Sequence, residues 1–83
     1  MTSLDLGPRA VAITPREDYS LLVTFDNGET RIYDVRPLLT EGVFQRLNDV
    51  DYFMQAHAKY GTVVWDEELD IAPESLYADS VLT

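Results

Sequence analysis

No feature limits the fold of this chain more than the tripeptide Asp26-Asn27-Gly28. It joins two β-rich runs, Tyr19 to Phe25 and Glu29 to Val35, and Asn and Gly tolerate the positive φ angles of a tight hairpin turn. Taken as a two-residue turn, Asn27-Gly28 sets Phe25 opposite Thr30 and Val23 opposite Ile32. Leu21, Val23, Phe25 and Ile32 then share one face, and Leu22, Thr24, Arg31 and Tyr33 the other. Upstream, Arg9 to Thr14 alternates, Val11 and Ile13 pointing one way and Ala10 and Ala12 the other, until Pro15 closes a short strand.

Pro37 ends the third strand, and Leu38-Leu39 with Val43, Phe44 and Leu47 repeat at helical spacing, so a short helix is expected near 42–48 with Thr40 as its cap. Asp49 to Asp51 reads as a turn. Phe53 to Lys59 and Thr62 to Asp66 then read as two strands around Tyr60-Gly61, although Phe53 to Ala58 also fits a helix. Asp70 to Glu74 reads as a loop entering a last helical turn through Ser75 to Ala78. Pro73 has no amide proton to leave unpaired there, and Glu74 suits the positive end of the helix dipole. The order is β-β-β-α-β-β-α, an α+β fold on an antiparallel or mixed sheet. One domain is expected over residues 1–83, with an ordered core at about 9–78 and loose termini.

At 83 residues and 46% apolar, the chain can bury one core and not two. A domain this small gains from self-association, so a homo-oligomer is among the expected states. The absence of cysteine excludes disulfides, thiol nucleophiles and thiolate zinc sites, and suits a reducing compartment. Met1 to Pro8 carries neither a basic leader nor a long apolar run, so a cytoplasmic location and no membrane association are expected. The net charge is −9 and unevenly placed: residues 49–83 hold eight acids and a single base, Lys59. Such a surface repels phosphate backbones and draws basic partners, which argues against direct nucleic-acid binding. Solubility alone also accounts for it.

Asp26-Asn27-Gly28-Glu29, Asp34-Val35-Arg36-Pro37-Leu38-Leu39, Gly42-Val43-Phe44 and Leu47 are followed by Val64-Trp65-Asp66 and Asp70-Ile71-Ala72-Pro73-Glu74-Ser75-Leu76-Tyr77. Over about Ala10 to Tyr77 this pattern resembles the small bacterial domain-of-unknown-function family numbered 2442. It departs from that pattern after Trp65, where Asp66-Glu67-Glu68-Leu69 replaces a proline and a small turn. The resemblance implies an α+β fold and a bacterial source, and brings no activity, catalytic residue or cofactor. Similar proteins stand alone, are joined to a helix-turn-helix domain, or are encoded near small toxin-like proteins.

Asp66, Glu67, Glu68, Asp70 and Glu74 form the densest carboxylate set. Hard divalent cations bind such oxygens, but the alternating ligands and fixed glycine of an EF-hand are missing, so the set reads as a solvated acidic loop and no metal is assigned. His57 stands outside any catalytic pattern and takes no role. Trp65 reads first as a core anchor. Gly28, Gly42 and Gly61 serve turns and form no phosphate loop. Two functions follow. One is a protein-interaction module, the regulatory or antitoxin-like partner of a small basic protein, contacted through Trp65, Asp66, Glu67, Glu68, Asp70 and Glu74. The other is a small-molecule or metal-dependent enzyme using the Asp66 to Glu74 carboxylates.

Overall fold

Strands β1 (Ala10–Pro15), β2 (Ser20–Phe25) and β3 (Thr30–Asp34) form an antiparallel meander in the structure, a computed structural model that describes residues 8–66 and 69–83. The β2–β3 hairpin forms where the sequence places it, but its loop has three residues, not two. The Gly28 amide donates to the Phe25 carbonyl at 3.0 Å and the Phe25 amide to the Glu29 carbonyl at 2.8 Å. Asn27 Oδ1 accepts the Glu29 amide at 3.0 Å, and of the loop residues Gly28 alone has a positive φ, +89°. This is the turn-plus-bulge form of hairpin, in which only the last loop residue is left-handed.

The longer loop shifts the pairing by one residue and so turns β3 over. Thr24 pairs with Thr30, Val23 with Arg31, Leu22 with Ile32 and Leu21 with Tyr33. Tyr33, 6% exposed, therefore joins Leu21, Val23 and Phe25 in the core, and Ile32 moves to the outer face with Leu22 and Thr24. The expected inward Ile32 and outward Tyr33 exchange places. In β1 a bulge between Ala10 and Ala12 breaks the expected alternation, so Ala10 is buried, Ile13 packs on the core and Val11 is 57% exposed.

The chain's last residues are not a loose tail. β7 (Val81–Leu82) pairs antiparallel with β3, giving the sheet order β1-β2-β3-β7. The Thr83 amide and hydroxyl both donate to the Thr30 carbonyl, which satisfies backbone that a free tail would leave to water.

A second antiparallel sheet holds β4 (His57–Lys59), β5 (Thr62–Asp66) and β6 (Leu69–Asp70). Tyr60 and Gly61 make its tight turn with φ of +58° and +78°, and Asp70, expected in a loop, is strand. The two strands expected around Tyr60-Gly61 are both present, the first shortened because Phe53 closes helix α1 (Val50–Phe53). Asp49 caps α1 by accepting the Asp51 amide at 3.0 Å. Residues Gly42–Asn48 are helical, as a 3-10 segment, and Thr40 does not cap it: Glu41 holds the cap position, and Thr40 gives only its carbonyl, to Gln45 Nε2. Helix α2 (Pro73–Ala78) has Pro73 and Glu74 in its first turn, as expected. No helix of the described residues is long and apolar enough to cross a membrane.

The two sheets share one core. Leu21, Val23 and Phe25 from the first sheet meet Val63 and Trp65 from the second, with Leu47, Phe53 and Leu76 filling in from the helical segments. Each such fully buried side chain contributes about 1.5–3 kcal/mol relative to exposure. The sheets are also stitched at the backbone, where the Ala10 amide donates to the Gly61 carbonyl at 2.9 Å.

Candidate functional site

Alternation along β5 decides what the second sheet offers to solvent. Val63 and Trp65 turn to the core, so Val64 and Asp66 turn away from it. Pairing sets His57 beside Val64 and Val64 beside Asp70, one row across three strands, with Lys59 two residues along β4 from His57. The result is an open cleft of about 430 Å³ lined by His57, Lys59, Tyr60, Val64, Asp66 and Asp70. Val64, 5% exposed, gives it an apolar floor.

The walls carry both signs of charge. Lys59 Nζ lies 5.1 Å from the Tyr60 ring centroid, and that ring is 73% exposed on a residue held at positive φ. A non-glycine residue in that region carries strain of order 1–2 kcal/mol. His57 Nδ1 is 3.0 Å from the Gln55 carbonyl, an oxygen that can only accept, so a hydrogen bond there takes its proton from Nδ1. Across the cleft, Asp66 Oδ2 accepts from Tyr52 Oη at 2.6 Å and from Arg46 Nη2 at 3.0 Å, while Arg46 also lies over the Tyr52 ring at 4.9 Å. Asp66 is thereby a fixed carboxylate, and Asp70 an exposed one on β6.

The residues named from sequence divide accordingly. Asp66 and Asp70 both line the cleft. Trp65 is 3% exposed and donates its indole Nε1–H to the Phe53 carbonyl at 3.0 Å, so its ring faces the core and not a partner. Glu74 is exposed on α2 and does not line the cleft. Glu67 and Glu68 lie outside the described residues. Among the described residues, no group of three or more histidine or acidic side chains is placed to hold a metal. His57, Lys59 and Tyr60 were not among the sequence candidates. Their signal was the Tyr60-Gly61 turn itself, because a two-residue turn there brings 57 opposite 64 and puts 57 and 59 on the face of Asp66.

A second polar cluster ties α2 to the first sheet. Tyr77 Oη donates to Glu29 Oε1 at 2.7 Å, Arg31 Nε donates to the same oxygen at 2.8 Å, and Arg31 Nη1 reaches the Ser80 carbonyl at 3.2 Å. The Tyr77 hydroxyl, and then Arg31, hold the Glu29 carboxyl below the usual 4.5. The Tyr77 ring packs edge-on to Phe25 at 5.0 Å. The cluster fastens a helix to a sheet and leaves the reactive-looking groups in the β4–β5–β6 cleft.

Residues 10–81, nearly the whole chain, match the model of a family described as a protein of unknown function, DUF2442. No curated protein and no solved structure matches the chain.

Proposed function

We propose that this chain, which belongs to the DUF2442 family, is an interaction module that takes a basic segment of a partner protein into the β4–β5–β6 cleft. The observation that carries this reading is that Asp66 and Asp70 both line an open cleft with an apolar floor, in the half of the chain that holds eight acids and one base. A lysine or arginine side chain lays its methylene stem on Val64 and its charge between the two carboxylates. The exposed Tyr60 ring adds a flat face for a guanidinium. The Lys59 ammonium donates to an acidic or carbonyl group of the same segment, which fixes its direction. Charge of this kind mainly speeds encounter and selects partners by sign, as suits a regulatory or neutralising partner of a small basic protein in the cytoplasm.

The test separates the cleft from net charge. A fluorescent arginine- and lysine-rich peptide is titrated against the wild type, against an Asp66→Asn, Asp70→Asn variant, and against a control that loses two acids elsewhere, Glu17→Gln and Glu41→Gln. The cleft variant should lose affinity at least tenfold at low salt and much less above roughly 0.15 M, where the screening length is about 8 Å. Equal losses in the control would reduce the effect to overall charge and overturn the cleft as the docking site.

A further inference from the structure

We infer that the outer face of the β1–β2–β3–β7 sheet is the surface on which two copies of this chain associate. This goes beyond the cleft and does not depend on it. The one-residue shift in the β2–β3 hairpin turns Ile32 outward, and pairing then lines up Thr14, Leu22, Ile32 and Val81 across all four strands. Ala12, Thr24 and Thr30 form a parallel row beside them. Neither row contains an ionisable side chain. Leu22, Ile32 and Val81 lie outside the core, and Val81 is 69% exposed.

Charge decides what this face fits. The molecule nets −9, yet the two rows carry no ionisable side chain and the shallow cleft of about 230 Å³ at their end is balanced, lined by Arg16, Asp18, Ser20, Ile32, Asp34 and Arg36, two bases and two acids. A basic partner gains nothing here over the acidic half of the chain, and a nucleic acid gains nothing from a balanced patch. A second copy is different. Two bodies of −9 repel on most of their surface and approach at least cost where neither presents net charge. A two-fold interface sets a patch against itself, so it needs charges that cancel within the patch. Arg36 and Asp34 already cancel within each copy, Arg36 Nη2 donating to Asp34 Oδ2 at 2.9 Å, and Arg16 of one copy facing Asp18 of the other completes the condition, with the uncharged rows packed sheet on sheet.

Salt separates this association from docking in the cleft, since screening strengthens the meeting of two like-charged molecules and weakens that of opposite ones. Sedimentation velocity of the full chain should show mass rising from 9.4 kDa towards twice that value with concentration, more readily at roughly 0.15 M salt than at roughly 0.02 M. Ile32→Glu places two carboxylates at the centre of the interface and should weaken association at least tenfold. Thr24→Lys, at a half-buried outer position, does the same should Ile32→Glu fail to fold, folding being read from Trp65 fluorescence on heating. The Asp66→Asn, Asp70→Asn variant should associate at least as well as wild type. A wild type that stays at 9.4 kDa throughout, or association unchanged in both face variants, overturns the inference.

Discussion

Gly28 is the residue on which the hairpin rests, and its cost of replacement can be isolated. A Cβ placed on it meets nothing within 4 Å, so substitution brings no clash and the whole penalty is the backbone at φ +89°. Gly28→Val should lower stability by about 1 kcal/mol or more, and Gly28→Asn by clearly less, because asparagine tolerates the left-handed region. Denaturant midpoints measure the difference, and equal midpoints for both variants would contradict the turn. Glu29 offers a test of sign. Its carboxyl is held below 4.5 first by the Tyr77 hydroxyl, so the folded state favours the ionised form. That stabilisation is present above pH 4.5 and fades as pH falls through the lowered value. Tyr77→Phe should therefore lower the melting temperature at pH 7, and the gap to wild type should narrow as the pH is taken below 4.5. A gap that widens in acid would reverse the assignment.

At the scale of elements, the sequence reveals most where backbone chemistry is local. Pro15, Pro37 and Pro73 mark ends and starts of elements, and Tyr60-Gly61 marks a hairpin. What stays hidden is register. Asn27-Gly28 is compatible with both a two-residue turn and the last two residues of a three-residue loop, and that choice alone decides whether Ile32 or Tyr33 is buried. The β1 bulge is hidden for the same reason, because it depends on how Ala10 sits between Phe25 and Gly61. The cleft was half legible: Asp66 and Asp70 stood out as charge, while His57 and Lys59 became neighbours only through pairing with β5. Helix α1 is short enough to need its cap. Removing the Asp49 side chain, which accepts the Asp51 amide, should cost about 1 kcal/mol, read as a fall in melting temperature of roughly 4–8 °C for Asp49→Ala.

For the whole molecule, charge is a load carried by a small core. Like charges repel in the compact state more than in the expanded one, so a chain of −9 should melt higher as salt rises from roughly 0.02 to 0.15 M. No rise in the melting curve would mean the acids are spaced too widely to repel. One further consequence belongs to β7 and concerns time. The β1–β2–β3 meander and the β4–β5 hairpin join stretches adjacent in sequence, which close on the microsecond scale, about 1–10 μs for a hairpin. Joining Arg31 to Leu82 and Ile32 to Val81 instead closes a loop of roughly fifty residues, whose entropy grows as (3/2)RT ln n. β7 is thus the last strand to arrive and the first to leave, and the backbone amides of Leu82 and Thr83 should trade their hydrogens for deuterium well before those of Leu21 and Val23. Mass spectrometry of the exchanging protein reads that order directly, and early protection at the β7 amides would show that the strand closes with the meander rather than after it.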